Sequence, residues 1–283
     1  MQLGVQLAHL GPLADASAVR TAATSADVLG YHSLWAVDPR LLPGPTGHHP
    51  AGLEPVTALS YAAAVTEHVR LGVHLCGRPL AAMTDAVDAL DALSTERLVV
   101  AIDLDDEPDS AIAGTVGGLV AGPRAGAAHH ADTAEEVDRA DGVDGVLAAL
   151  RRPRRPLLVS SRMTERAAAH IARSADGWMA MRLGPAEIRD AWRSVVGSAH
   201  ALGRDPDQLR LVVRVDIALT DRPLGHHRST YCGSTEQVVD DLVALAQGGA
   251  TEAVLALPGQ HHLDDLLGAY AAIAEGLELR TPS

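Results

Sequence analysis

The sequence predicts an α/β protein, a (β/α)8 TIM barrel with an irregular insertion after its fourth strand. Three observations lead there. Short β-branched runs alternate with longer Ala/Leu-rich stretches, the pattern of parallel βα units. Eight such runs fit within 283 residues, the length of a single barrel domain. The first turn, AHLGPLAD, lacks the GxGxxG of a doubly wound dinucleotide-binding sheet.

The strands are predicted at Leu3–Leu7, Ser33–Val37, Arg70–Leu75, Arg97–Ile102, Leu157–Ser160, Trp178–Met181, Leu211–Ala218 and Ala253–Leu257. Asp15 caps a first helix that Gly30 ends, since glycine accepts the left-handed conformation after a helix. A Pro/Gly/His loop over 38–54 precedes a helix from Pro55 to His68, with proline suited to its first turn. Further helices are expected over Pro79–Leu93, Thr164–Arg173, Pro185–Leu202, Ser234–Gln247 and Leu263–Glu275. The segment 103–155 is the least regular. It combines a Gly/Ala-rich run, an acidic stretch, a helix expected over Glu135–Leu150 and the basic string RRPRRP, and it reads as an insertion near the active face or as a surface excursion.

Composition narrows the function classes. Hydrophobic residues make up 47% and aromatics 2%, with no Phe, so small aliphatics must fill the core. The net charge is −13, and all 23 basic residues are Arg. That balance repels phosphate backbones and anionic lipid, so neither nucleic acid nor membrane is an expected partner. The lack of Lys excludes a Schiff-base or P-loop lysine. Cys76 and Cys232 are isolated thiols, no apolar run reaches the ~18 residues of a membrane helix, and no secretory segment precedes Leu3, so a cytoplasmic location is expected. Four His-His doublets occur at 48–49, 129–130, 226–227 and 261–262. Adjacent histidines diverge on either a strand or a helix, so no doublet is a chelate and no metal is expected.

Six phrases, in order along the chain, carry a family resemblance. They are LGYHSLWAVDP from Leu29, TEHVRLGVHL from Thr66, ALDALSTERLVVAI from Ala89, SSRMTERAAAHIARSADGWMAM from Ser160, GRDPDQL from Gly203 and GSTEQVVDDL from Gly233. Together they resemble the luciferase-like monooxygenase superfamily, its F420-dependent oxidoreductase branch included. The resemblance implies a luciferase-like barrel, a flavin or deazaflavin at the C-terminal mouth of the strands, and a homodimer packed through early helices.

The resemblance also implies site residues. Asp38, after the second strand, matches an Asp-His pair in which Pro39 replaces the His; it stands near the cofactor or substrate, or merely starts a turn. His74, Leu75 and Cys76 match a bulge with a non-proline cis bond, here His74–Leu75, behind the central ring. His74 faces the ring, or is a mouth histidine satisfied by a carboxylate. Asp103 and Asp105 replace two family glycines, and Asp106 falls where some members place an acidic proton donor; the alternative is a solvated acidic loop. Ser161 and Arg162 replace a phosphate-gripping Gly-Gly, so that Ser160, Ser161, Arg162 and Thr164 would hold a phosphate through side chains, with Arg182 beyond the sixth strand as a further contact. Trp178 reads as packing, and Arg214 with Asp216 as an interior ion pair.

The reading that follows is a hydride-transferring oxidoreductase using coenzyme F420 and a small organic substrate. Asp38, His74 and Asp106 are its catalytic candidates. FMN-dependent monooxygenation is the alternative, as is a barrel that has lost its cofactor and serves as a binding or structural subunit.

Overall fold

The computed structural model describes residues 1–42, 51–77, 79–104 and 143–278. Eight parallel strands close into a barrel: β1 (Gln2–Gln6), β2 (Ser33–Val37), β3 (Arg70–Leu75), β4 (Leu98–Asp103), β5 (Leu157–Ser160), β6 (Gly177–Met181), β7 (Arg210–Asp216) and β10 (Glu252–Ala256), in the cyclic order β1-β10-β7-β6-β5-β4-β3-β2. Around them run α1 (Ala16–Val28), α2 (Pro55–Val65), α3 (Leu80–Ser94), α4 (residues 143–150), α5 (Glu165–Ser174), α6 (Pro185–Ala201), α7 (Thr235–Gln247) and α8 (Leu263–Glu278). Each predicted barrel strand is present, with its ends moved by at most two residues.

Local chemistry sets the helix ends. Asp15 accepts the Ala18 N–H at the start of α1, and Gly30, at φ 74°, follows its end. The α2 helix stops at Val65 rather than His68. There Asp27 of α1 accepts the N–H groups of Glu67, His68 and Val69, at 2.8, 2.8 and 2.6 Å, and steers the chain into β3. Two features differ from expectation. The end of the predicted seventh strand separates, and β8 (Ala218–Leu219) pairs in parallel with β9 (Cys232–Gly233) outside the barrel. The basic string, residues 151–156, leads directly into β5, so it sits at the end of the barrel where strands begin, opposite the C-terminal mouth. Of the expected helix over Glu135–Leu150 only residues 143–150 are described, and they are helical.

Alternation along the strands divides the core in two. Leu34, Leu71, Val73, Val100, Val159, Trp178, Val213 and Leu255 face the helices and join the large outer core. Trp35, Val99, Ala101, Leu158, Met179, Val212 and Val254 form a separate buried cluster, the filling of the barrel itself. The Trp35 indole occupies the space over Gly72 of β3, where an added Cβ would fall inside the ring. Its Nε1–H donates to Ser33 Oγ at 2.8 Å and Glu252 Oε1 at 3.0 Å. The Ser33 hydroxyl also donates to Glu252.

Gly72→Ala is therefore expected to lower stability by about 1–3 kcal/mol through overpacking. Gly268→Ala, in α8 with no heavy atom near the new Cβ, should raise it by about 0.5–1 kcal/mol through helix propensity. Urea midpoints of both variants check this; a neutral Gly72→Ala would refute the tight indole seat.

Candidate functional site at the barrel mouth

The strands deliver their inward-facing residues to the C-terminal rim in a fixed sequence. Continuing the alternation from Trp35, Gly72 and Val212, the rim receives Gln6, His74, Asp103, Ser160, Met181, Arg214 and Asp216. His74 is fully buried, its carbonyl accepts the Asp38 N–H at 2.8 Å, and neither ring nitrogen has a hydrogen-bond partner among the described residues. Its Nε2 lies 4.0 Å from Asp103 Oδ2, beyond hydrogen-bond reach. Burial, then the nearby Arg214 charge, push its pKa down to about 3, against a smaller pull from Asp38. His74 is thus a neutral imidazole, with one donor and one acceptor to offer.

Arg214 is buried beside it. Its Nε donates to Gln6 Oε1 at 2.8 Å, and its guanidinium meets the half-exposed Asp216 at 2.6 Å, the interior ion pair expected from the sequence. Burial lowers the Arg214 pKa, and Asp216 opposes the shift. The hydroxyl of buried Tyr270 donates to the Gln6 carbonyl at 3.4 Å, which ties α8 to this corner.

Asp38 is buried, but its carboxylate is engaged. Arg40 donates to it through Nε at 3.0 Å and Nη2 at 2.7 Å, and through its backbone N–H at 3.1 Å. The same guanidinium reaches the carbonyls of Cys76 and Gly77, Gly77 at 3.1 Å. Asp38 and Arg40 therefore fasten the end of β2 to the turn after β3. His9, just past β1, fastens β1 to β2. With its proton on Nδ1 it donates to the Leu7 carbonyl at 2.8 Å and accepts the Val37 N–H on Nε2 at 3.2 Å; burial lowers its pKa.

The remaining candidates sit around this centre. The implied bulge at His74–Leu75 is corrected. The described peptide bonds are all trans, and β3 keeps its register through Leu75, which pairs with Ile102. Regular pairing holds because alternation already places Leu75 in the outer core and His74 inside. Leu75 thus offers the mouth only its backbone, and Cys76 is half-buried beyond it. Ser160 is buried at the end of β5. Ser161 Oγ is buried without a partner among the described residues, while its carbonyl accepts from Trp178 Nε1 at 3.2 Å. Arg162 and Thr164 are exposed, and the Thr164 hydroxyl caps α5 by accepting the Ala167 N–H at 3.1 Å. Arg182, exposed at the end of β6, holds the left-handed conformation at φ 58°, which costs about 1–2 kcal/mol in a residue other than glycine. Asp105 and Asp106 lie outside the described residues.

Gln6, His9 and Arg40 are the mouth residues that sequence reasoning missed. Each stands at, or within three residues of, a strand end, and that position was the available signal. No helix among the described residues is long and apolar enough to cross a membrane.

No family model matches the chain, and no curated protein matches it by sequence. Solved structures match almost its whole length. The monooxygenase RslO1 from Streptomyces bottropensis is 16% identical with a TM-score of 0.69, covering 99% of both chains. Coenzyme F420-dependent tetrahydromethanopterin reductase from Methanopyrus kandleri is 13% identical with a TM-score of 0.64, covering 98% of this chain and 97% of its own. An F420-dependent secondary alcohol dehydrogenase, solved with an F420–acetone adduct, is 12% identical with a TM-score of 0.65, covering 96% and 98%. At these identities the likeness shows the fold, a (β/α)8 barrel shared over nearly the whole chain.

The histidine chemistry predicts a pH dependence. Below the ordinary value of 6.5 the unfolded chain takes up a proton that His74 refuses until about pH 3. Stability contributed by the neutral form is full above pH 6.5 and is lost as the pH falls toward 3, by up to about 1.4 kcal/mol per pH unit. His9 acts in the same direction. Urea midpoints between pH 7 and 5 should fall less steeply in His74→Gln than in the unsubstituted protein, and equal slopes would rule out the buried neutral imidazole.

Proposed function

We propose that this protein is an oxidoreductase that moves a hydride between coenzyme F420 and a small organic substrate at the C-terminal mouth of the barrel. The observation that carries this reading is His74: a fully buried, neutral imidazole whose two nitrogens have no partner among the described residues. Native proteins seldom leave such groups unsatisfied, and a missing ligand is a physical explanation of one that is. The overall likeness to two F420-dependent enzymes points the same way.

The residues present fit the cofactor. Ser161 Oγ, buried and without a partner among the described residues, lies with Ser160, Arg162 and Thr164 at the start of α5, where N–H groups favour an anion. Arg182 adds a cation at the next strand end. Glu165, in the first turn of α5, works against them. When bound, the cofactor supplies the carbon that accepts or donates the hydride.

The chain's own groups orient and protonate. His74 hydrogen-bonds a substrate oxygen, donating from one nitrogen while the other accepts. Its low pKa keeps it from becoming a standing cation beside Arg214. Arg214, fixed by Gln6 and Asp216, stabilises negative charge that develops on that oxygen. Asp103, 4.0 Å from the imidazole, is the described carboxylate placed to exchange a proton with it through a small shift. Asp38 holds the rim in shape through Arg40 and adds a field that favours His74 protonation. Leu75 and Cys76 present backbone to the ring. The protein works in the cytoplasm as a homodimer; the exposed Val28, Leu29, Tyr61 and Leu93 on or beside the early helices suit such an interface.

Fluorescence titration with F420 and with FMN tests the reading. F420 should bind at micromolar concentrations, and Arg162→Gly should weaken it about 10-fold, ~1.4 kcal/mol, for a lost charge-assisted contact. Preference for FMN would favour the monooxygenase instead. Failure to bind either cofactor, with binding gained in Asp103→Gly or Arg162→Gly, would identify a barrel whose cofactor site has degenerated.

A further inference from the structure

At the opposite end of the barrel, where the strands begin, lies a cavity of about 740 Å3. Six arginines line it: Arg70, Arg151, Arg152, Arg154, Arg155 and Arg210. Asp176 is the carboxylate among the lining residues. A quarter of the 23 basic residues of a chain with net charge −13 thus converge on one concavity.

The outer arginines are each paired with a carboxylate. Asp88 of α3 pairs with Arg152 and, at 2.7 Å, with Arg155, which also reaches Asp91 at 3.4 Å. Glu96 pairs with Arg154 at 2.6 Å, and Asp176 with Arg151 at 3.1 Å. Pro153 and Pro156 stiffen the loop, and an Arg152–Arg155 backbone bridge closes it. Each guanidinium has five N–H donors, so these pairings fix its position and leave donors to spare.

The inner pair is different. Arg70 and Arg210 begin β3 and β7 and face each other across the barrel axis. No salt bridge engages either guanidinium among the described residues, and Arg70 Nε is buried there without a hydrogen-bond partner. Burial lowers the Arg70 pKa, the Arg210 charge lowers it further, and Glu252 beneath opposes the shift. Two guanidinium groups that repel each other, backed by one buried carboxylate, suit a ligand of two or more negative charges.

We propose that this floor cavity binds a small phosphate-bearing polyanion, gripped at its centre by Arg70 and Arg210 and at its rim by Arg151. The volume is that of a small-molecule site, and guanidinium forks match phosphate oxygens two at a time. An extended nucleic-acid strand suits it poorly, because the basic surface is one local concavity on a chain of net charge −13. This site is separate from the mouth and does not depend on the redox reading.

Calorimetric titration with inorganic pyrophosphate in low salt tests the proposal, with citrate as a carboxylate control. One pyrophosphate per chain should bind at least 10-fold more tightly than citrate and raise the melting temperature. The double variant Arg70→Gln/Arg210→Gln should weaken it at least 10-fold, and Arg151→Gln, at the rim, about 3-fold. Arg182→Gln at the mouth should change it less than 2-fold. Without ligand, Arg70→Gln should melt at or above the temperature of the unsubstituted protein, because it removes a half-buried charge repelled by Arg210. No binding at millimolar pyrophosphate, equal affinity for citrate, or loss of binding only in Arg182→Gln would overturn the proposal. If the double variant fails to fold, Arg151→Gln and the single Arg70→Gln variant decide the outcome.

Discussion

Filling the inside of an eight-stranded barrel is the constraint on which the rest of this molecule depends. A closed barrel has interior volume that side chains must occupy, and this chain has no Phe to do it. One indole does most of the work. Trp35 spreads over Gly72, and Ser33 and Glu252 hold its nitrogen. Around it Val99, Ala101, Leu158, Met179, Val212 and Val254 close the section. A side chain at position 72 would expel the ring. With the ring seated, the strand ends above and below it are fixed.

Those ends are then joined by polar clamps rather than apolar contacts. Asp38 and Arg40 tie β2 to the turn after β3, His9 ties β1 to β2, and Asp27 captures three backbone N–H groups before β3. Each clamp satisfies groups that burial would otherwise strand. His74 and Ser161 stand out because nothing comparable is supplied for them among the described residues.

Much of this architecture was legible in the sequence. The strands are buried on both faces, so they read as β-branched apolar runs, and Asp15 as a cap and Pro55 in a first turn declared the first two helices. The two-residue strands β8 and β9 were not legible, because their pairing is set by tertiary position and no period shows in two residues. Strand ends picked out Asp38, His74 and Arg182, and period two picked out the Arg214–Asp216 pair. Arg40 escaped notice because its importance lies in reaching across to Cys76 and Gly77. RRPRRP was visible as a basic string, but its side of the barrel depended on its direct entry into β5. The cis bulge expected at His74–Leu75 came from family pattern rather than from these residues, and regular pairing replaced it.

Strand β7 carries inward-facing arginines near both ends, Arg210 at the floor and Arg214 at the mouth. Four residues of strand place them about 13 Å apart. The septum between them is the buried hydrocarbon and indole of the barrel filling, and salt screens across it less than through solvent. At an effective dielectric constant of ~20, two unit charges at that separation interact by about 1 kcal/mol. A change of charge on one side is therefore felt as a voltage on the other, with no atom in between needing to move.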